Sequence, residues 1–224
     1  MKKEEKITKV IQLLKKKYGE HNYRDRGNPI DALVETILSQ NTTDKNSSRA
    51  FANLKKIYPS WESVLKADAR SIKKTIRSGG LPGIKARRIK HVLGEIKRRR
   101  GRLTLDFLRE TPVRDATAFL RSIKGIGPKT AAVLLIFRFN KLVMPLDTHN
   151  LRVAKRLGIV PQKMSSEKAH ELMNQLVPGK EKKSLHINFI IHGRTICTAR
   201  NPKHEICVLK NLCDYYRIYY PPKR

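Results

Sequence analysis

Two charged residues stand out because of where they occur in the chain. Lys129 directly follows GIGP (125–128) in the segment SIKGIGPKTAAVLLIF, and Asp147 comes 18 residues later in VMPLDTHNLRV. An uncharged lysine amine is a nucleophile, and an anchored carboxylate can accept a proton or stabilise a developing cation. A glycosidic bond breaks through an oxocarbenium-like state, so this pair of residues suits cleavage of such a bond.

The turn before Lys129 predicts a site for an anion. A helix that begins at Pro128 leaves its first backbone N–H groups unpaired and presents the positive end of its dipole. Gly125 and Gly127 let a ligand approach the backbone closely, because they have no Cβ. The spacing is not that of a Walker loop, so a DNA phosphate is the expected anion. A plain corner between two helices is the alternative.

Lys129 and Asp147 each have a simpler interpretation. The ammonium of Lys129 would lie at the positive end of a helix in a basic chain, which favours the neutral amine. A surface lysine that only binds phosphate would explain the same residue. Asp147 precedes a helical pattern and is a good helix N-cap, and that position also keeps a carboxylate ionised and fixed. The residues alone leave these alternatives open.

The charge of the chain predicts a polyanionic partner. Among 224 residues there are 49 Lys and Arg against 19 Asp and Glu, a formal net charge of +30. Nucleic acid is the first expectation, an anionic membrane surface the second, and a merely basic protein the third. The start MKKEEKITKV lacks the apolar core of a signal peptide, and the longest apolar run, AAVLLIF, is far shorter than the roughly 20 residues of a membrane span. We expect an intracellular protein, in the cytoplasm or nucleoid and not secreted.

Helical periodicity runs through almost the whole sequence and predicts an all-α fold. The segment SGGLPG (78–83) interrupts it, and KLVMPL (141–146) alternates like a strand but is too short to found a sheet. Helices are predicted at 7–14, 29–40, 44–58, 60–67, 68–77, 84–100, 104–110 and 112–122, from 128 onward, and near 148–157, 165–176 and 181–196. Asn28 before Pro29 is the predicted N-cap of the second helix, and a Thr, Ser or Asp start signal marks each of the next three.

At this spacing, SIKGIGPKTAAVLL and VMPLDTHNLRVAKRLG resemble the helix-hairpin-helix and the catalytic-aspartate loop of the endonuclease III group of DNA glycosylases. The resemblance runs from ILSQNTTDKN to the C-terminal cysteines. It implies two helical domains with a DNA cleft between them, and Lys129 and Asp147 on opposite sides of that cleft. A six-helix domain at 24–140 would carry the hairpin, and 1–23 plus 141–224 would carry a C-terminal metal loop.

The resemblance also implies a reaction. Lys129 matches the nucleophile that attacks the sugar C1′, expels the damaged base and leaves a Schiff base, after which β-elimination nicks the strand. Asp147 matches the carboxylate that assists. The residues matching the phosphate-binding hairpin are Gly125, Ile126, Gly127 and Thr130. This implies a monomeric bifunctional DNA glycosylase/AP lyase, acting on double-stranded DNA with a damaged base, by family default an oxidised pyrimidine, or an abasic site.

Two other functions remain open at this point. One is a monofunctional mismatch or uracil-type glycosylase in which Lys129 takes no part. The other is a non-catalytic DNA-binding module that uses the hairpin only to hold phosphate.

Two further segments resemble the parts of the family that enter the duplex. GGLPGIKARRI resembles the loop that carries an apolar wedge, with Leu81 at its tip, although a loop anchor is the alternative interpretation. LSQNTTD resembles the second intercalating segment, where the family usually has glutamine at the position of Asn41. This chain has Gln40 immediately before it, and either amide could reach the orphaned base. Nine Lys and Arg between 84 and 102 predict a basic helix, part of which follows DNA phosphates.

The three cysteines lie together at the C-terminus and predict a metal site. The family's iron–sulfur loop has the spacing C-x6-C-x2-C-x5-C, whereas this chain has Cys197, Cys207 and Cys213 in register and His204 at the second position. We expect a 4Fe–4S cluster with His204 as the fourth ligand, since imidazole ligates iron in Rieske centres. The alternatives are a structural zinc site of the Cys3His type, a cluster that lacks one protein ligand, and no metal.

Overall fold

The computed structural model describes residues 1–21 and 27–220. The chain divides into two compact units, one formed by Met1–Tyr23 with Leu142–Arg224 and the other by Arg24–Lys141. The predicted boundary between residues 23 and 24 lies outside the described residues, and the described part returns to the first unit at Leu142.

The described residues form twelve α-helices and no strand, which confirms the predicted all-α fold. The helices are α1 (Lys3–Tyr18), α2 (Pro29–Leu38), α3 (Asp44–Ile57), α4 (Trp61–Lys66), α5 (Ala69–Thr75), α6 (Pro82–Arg100), α7 (Val113–Arg121), α8 (Pro128–Arg138), α9 (Thr148–Arg156), α10 (Ser166–Leu176), α11 (Lys182–Thr195) and α12 (Asp214–Tyr219). Short 3₁₀ turns lie at Arg77–Gly79, Asp106–Arg109, Gly179–Glu181, His204–Ile206 and Lys210–Leu212. Within the described chain, no helix has the length and apolar character needed to cross a lipid bilayer.

The first unit joins the N-terminal helix to the C-terminal third of the chain. Its core comes from α1, α9, α10 and α11, and it includes Cys213. The Nζ atom of Lys6 in α1 lies 2.8 Å from a carboxylate oxygen of Asp214 and donates a hydrogen bond to the carbonyl of Leu157. A buried ammonium with both partners fixes α1 against the start of α12.

The second unit is built around α2, most of which is buried and which packs against α3, α6 and α8. Asn28 caps this helix by accepting a hydrogen bond from the N–H of Ile30, and Pro29 follows at the first helical position. This confirms the predicted N-cap and start. A helix that is apolar on almost every face must lie in the interior, so α2 sets the positions of its three neighbours.

Most helix starts were predictable from local chemistry, and the differences have local causes. Thr43, Ser60 and Asp68 cap α3, α4 and α5 as predicted. The basic helix α6 begins at Pro82, two residues before the predicted start, because the proline supplies a preorganised first position. The predicted helix at 104–110 is the 3₁₀ turn Asp106–Arg109, and α12 was not predicted, since its six residues are too few to show a periodicity.

Candidate functional site: a glycine hairpin, an anchored aspartate and a thiol-lined cavity

The hairpin of the second unit consists of α7, the turn at 122–127 and α8. Gly125 adopts φ +103°, and a Cβ at this position would lie 3.0 Å from Cγ of Arg88, so the turn requires glycine here. Gly127 is different, because its φ is −83° and a Cβ would meet nothing within 4 Å. Its backbone is exposed at the uncapped start of α8, where a ligand could approach.

The hairpin residues Ile126 and Thr130 are buried, and this changes the role expected of them. Thr130 is only 3% exposed, and its hydroxyl lies 3.4 Å from the side-chain amide nitrogen of Gln40. Ile126 packs into the core. Because both side chains are buried, they stabilise the hairpin, and a contact between these residues and an anion would come from their backbone.

Lys129 is the second residue of α8 and is partly buried. No side chain caps the N-terminus of this helix, and the described first turn contains no acidic residue. The amine therefore occurs at a helix end whose backbone N–H groups are not used by a capping side chain.

The structure distinguishes the neighbouring amide side chains of Gln40 and Asn41, between which the sequence could not choose. Gln40 accepts a hydrogen bond from the guanidinium of Arg88 and donates one to Thr130, so both ends of its amide are used within the protein. Asn41 is exposed and adopts φ +52°, a left-handed conformation that asparagine tolerates. Of the two, Asn41 is the residue that could contact a partner.

Leu81 lies at a loop tip immediately before α6. It is 49% exposed and also left-handed, with φ +47°. A left-handed leucine costs roughly 1–2 kcal/mol, and its exposed side chain recovers little of this by burial. The exposed position disagrees with a loop anchor and is compatible with a wedge.

In the first unit, Asp147 is the N-cap of α9. Its Oδ1 atom accepts hydrogen bonds from the backbone N–H of Asn150 at 2.8 Å and from the Asn150 side-chain amide at 2.9 Å. Burial alone would raise the pKa of this carboxyl group, but these two hydrogen bonds, together with the electrostatic effect of His186 and His149, outweigh it and hold the pKa below its usual value. The cap interpretation and the ionised carboxylate are therefore both correct.

Two residues that support Asp147 were missed from the sequence. The amide oxygen of the fully buried Asn150 lies 3.3 Å from Nδ1 of His186, and this ring nitrogen is also 3.1 Å from the carbonyl oxygen of Pro145. The arrangement orients the Asn150 amide so that its NH₂ group faces the carboxylate. Asn150 occupies the third position of the helix, where capping side chains pair with the N-cap, and this spacing was the available signal.

The three cysteines lie around one cavity, together with His192 and His204. All three are free thiols, and burial raises the pKa of Cys207 to about 11 and also raises that of Cys213. Buried neutral thiols are poor nucleophiles, so Cys207 and Cys213 fit a role as ligands better than a role in catalysis. A donor set of three thiols fits an iron–sulfur cluster.

The spacing of these donors bears on which metal they could hold. No three His, Cys, Asp or Glu side chains of the described residues converge closely enough to hold a single metal ion. Cysteines that ligate a 4Fe–4S cluster bind separate iron atoms, so they need not converge on one point.

The cavity has two imidazoles, and the sequence spacing pointed to only one of them. His204 packs against the rings of Tyr216 and Tyr220, with ring centroids 5.0 and 4.4 Å away. His192 is 1% exposed, its Nε2 atom is 3.6 Å from Sγ of Cys207, and its Nδ1 atom is 3.0 Å from the hydroxyl of Tyr18. Burial lowers its pKa to about 4, so the ring is neutral.

Residues 34–179, more than half of the chain, match the HhH-GPD superfamily of base excision DNA repair proteins. The chain belongs to this superfamily. Residues 197–213 match the iron–sulfur binding domain of endonuclease III, so the thiol-lined loop of this HhH-GPD protein is an iron–sulfur binding segment.

Individual relatives agree with this assignment. Endonuclease III of Sulfolobus acidocaldarius is 35% identical over 193 residues, which are 84% of this chain and 83% of that protein. A candidate DNA glycosylase of Arabidopsis thaliana is 40% identical over 177 residues, 79% of this chain, but the match spans only 60% of the plant protein.

Solved structures agree as well. A non-covalent complex of endonuclease III with DNA matches with a TM-score of 0.83 at 25% identity and covers 97% of this chain and 98% of that one. A trapped covalent intermediate of endonuclease III with DNA matches with a TM-score of 0.82 at 25% identity and covers 97% and 99%. The HhH-GPD protein is therefore an endonuclease III-like DNA glycosylase of base excision repair.

Proposed function

We propose that this glycosylase is bifunctional: it removes an oxidised pyrimidine from double-stranded DNA and then cleaves the strand as an AP lyase, acting as a monomer. Lys129 supplies the amine and Asp147 the carboxylate. The observation that carries the proposal is a partly buried lysine at the uncapped start of α8, directly after a glycine turn, in a chain whose relatives include endonuclease III.

The proposed chemistry proceeds in two stages. The neutral amine of Lys129 attacks C1′ of the sugar, the glycosidic bond breaks, and the base leaves with its electron pair and takes up a proton. The ionised carboxylate of Asp147 stabilises positive charge on the sugar and accepts protons from the attacking amine. Ring opening gives a Schiff base at C1′, and loss of a proton from C2′ then expels the 3′ phosphate.

The trapped covalent complex of an endonuclease III with DNA supports a covalent route, because a covalent bond between protein and DNA needs a nucleophilic side chain. The monofunctional route is kept as an outcome of the experiment.

The test compares Lys129→Gln with Lys124→Gln, which removes an exposed lysine from the same hairpin. Each protein is incubated with duplexes that contain an abasic site or thymine glycol, with borohydride present, and covalent adducts are measured on a gel. We expect the Lys129 variant to bind DNA but to lose adduct formation and nicking, while the Lys124 variant keeps both.

Three other outcomes would contradict the proposal. Unchanged trapping by Lys129→Gln would place the nucleophile elsewhere. Base release by the parental chain, with nicking only after alkali, would identify a monofunctional glycosylase. Salt-sensitive DNA binding without turnover on any lesion would identify a non-catalytic module.

We also propose that Asn41, and not Gln40, contacts the base opposite the extruded nucleotide, and that Leu81 fills the vacated space. Asn41 is exposed, whereas the amide of Gln40 is bonded to Arg88 and Thr130. Replacing Asn41 with Ala should change the preference for the opposite base. Gln40→Ala should act through the hairpin and leave this preference unchanged.

For the metal loop we propose a 4Fe–4S cluster held by Cys197, Cys207 and Cys213, with His204 as the fourth ligand. The cluster would hold the loop in place and take no part in bond breaking. His192 is the second candidate, because its Nε2 atom faces Cys207 at 3.6 Å.

Iron and sulfide content and the visible spectrum of two variants distinguish these histidines. His204→Ala should lose the cluster or change its spectrum, and His192→Ala should retain the iron. The reverse result would make His192 the ligand. Tyr18→Phe, which removes only the hydroxyl beside His192, is the matched control.

A further inference from the structure

Lys85 is a buried lysine that the proposed chemistry does not use. It is 2% exposed, in the first turn of α6. Its Nζ atom donates one hydrogen bond to the carbonyl of Leu38 at 2.7 Å and another to the carbonyl of Gly79 at 2.6 Å. Within the described residues this ammonium is paired with those two oxygens and with no carboxylate.

The two carbonyls belong to different segments of the second unit. Leu38 is the last residue of α2, so its carbonyl oxygen lacks a partner within the helix and lies at the negative end of the helix dipole. Gly79 ends the 3₁₀ turn that precedes Leu81. Burying an ammonium without a carboxylate is unfavourable, and here the cost is offset by two hydrogen bonds to backbone carbonyls of two different segments.

Each of these carbonyls is followed closely by an exposed, left-handed residue. Asn41 lies three residues after Leu38, and Leu81 lies two residues after Gly79, and neither is glycine. Asparagine tolerates this conformation, but a left-handed leucine persists only where the surrounding structure holds it. The segments also lie close together, since a Cβ added to Gly80 would be in van der Waals contact, at 3.6 Å, with the carbonyl oxygen of Asn41.

We propose that Lys85 is a positioning residue that couples these two tips, so that Leu81 and Asn41 enter the duplex as one unit when a base is extruded. The inference rests on the proposed function. Because the same ammonium binds both carbonyls, a displacement of one segment moves the ammonium and weakens its hydrogen bond to the other segment. Lys85 itself does not contact DNA.

The test uses a duplex with 2-aminopurine opposite a tetrahydrofuran abasic analogue, which cannot react with the amine. The fluorescence of 2-aminopurine rises when this base is unstacked by an inserted side chain. Lys85→Met removes both hydrogen bonds and keeps most of the length of the side chain. We expect it to bind the duplex within about twofold of the parental affinity, but to lose most of the fluorescence change and to slow excision from duplex DNA about tenfold or more.

Lys90→Met is the matched control. Lys90 also lies in α6 and donates to a backbone carbonyl of another segment, that of Ala67, away from both tips. We expect it to lower thermal stability and to keep the fluorescence change. If both variants lose the change equally, Lys85 acts only through stability and the proposal is wrong.

A full fluorescence change in a folded Lys85→Met protein would also overturn it. If that variant does not fold, Lys85→Gln, whose shorter side chain can serve only one of the two carbonyls, is measured in the same way, and an unchanged signal again overturns the coupling. A parental chain that forms no covalent adduct on any abasic duplex would instead contradict the proposed function. Normal trapping with no effect at Lys85 would contradict this inference alone.

Discussion

Asp147 combines two roles that one substitution can separate, because asparagine and aspartate cap a helix about equally well. The carboxylate accepts two hydrogen bonds from Asn150, and these fix its position and keep it ionised. A helix cap needs only an oxygen acceptor, whereas stabilising a cation needs the charge.

Asp147→Asn should therefore lower the unfolding free energy by at most about 1 kcal/mol. Base excision should fall on the order of 100-fold, since the charge in the transition state is lost. Thermal melts and single-turnover excision measure the two effects. Asp68→Asn, at the exposed cap of α5, is the control and should change neither. Excision at the parental rate would reduce Asp147 to a helix cap.

The hydrogen bonds from Asn150 lead to a second prediction at the residue scale, which concerns the pH dependence of base excision. Because hydrogen bonds hold the pKa of Asp147 below its usual value, the carboxylate stays active until the pH falls below the range of an ordinary aspartate. The stability it contributes is present above the unfolded-state pKa and is lost as pH falls through the folded-state pKa. Asn150→Leu should raise the pKa and move the acid limb of the excision–pH profile to higher pH.

The control is Asn188→Leu, because this equally buried amide of the same unit bonds to His21 and Gly19. It should lower stability without moving the acid limb. An acid limb that stays in place in Asn150→Leu would show that another group controls the pH dependence.

At the scale of elements, the two glycines of the hairpin turn should respond differently to the same substitution. Gly125→Ala forces a side chain into φ +103° and against Arg88, so it should lower the unfolding free energy by at least about 1 kcal/mol. Gly127→Ala fits the backbone and should change stability by less than about 1 kcal/mol, yet weaken DNA binding by obstructing a phosphate. Urea unfolding and binding titrations measure the pair. If Gly127→Ala binds DNA normally, the exposed backbone is not a phosphate contact.

Some of the elements could be predicted from the sequence, and some of the contacts between them could not. The helices and their caps follow from local chemistry, which is why Asn28, Thr43 and Ser60 were identifiable. Which of Gln40 and Asn41 is exposed depends on Arg88, a residue 48 positions away, and no local pattern contains that contact. His192 could not be predicted for the same reason, because its hydrogen-bond partner Tyr18 lies in the first helix, far away in the sequence.

At the scale of the whole molecule, the charge of +30 predicts binding that depends steeply on salt. Several basic residues of α6 are engaged within the protein, since Arg98 and Arg99 pair with Glu95 and Arg100 lies over the ring of Phe107. Arg87 and Lys97 are exposed and are the ones expected to meet phosphates.

If 6–10 phosphates are contacted, affinity should fall about 10³–10⁵-fold between roughly 50 and 200 mM salt. Arg87→Gln should reduce the slope of log K against log salt by about one. Titrations at several salt concentrations check both values, and a loss below tenfold would mean that the net charge is not directed at DNA.

Helix α9 connects two parts of the first unit that otherwise have different chemistry. It begins at the Asp147 cap, and near its other end Arg152 and Arg156 donate hydrogen bonds to the carbonyls of Cys197 and Thr198. Nine helical residues form a rod about 13 Å long, which is too short to bend appreciably. Oxidative damage that loosens the cysteine loop would thus remove the carbonyl acceptors of Arg152 and Arg156, and its effect would reach the helix that Asp147 caps.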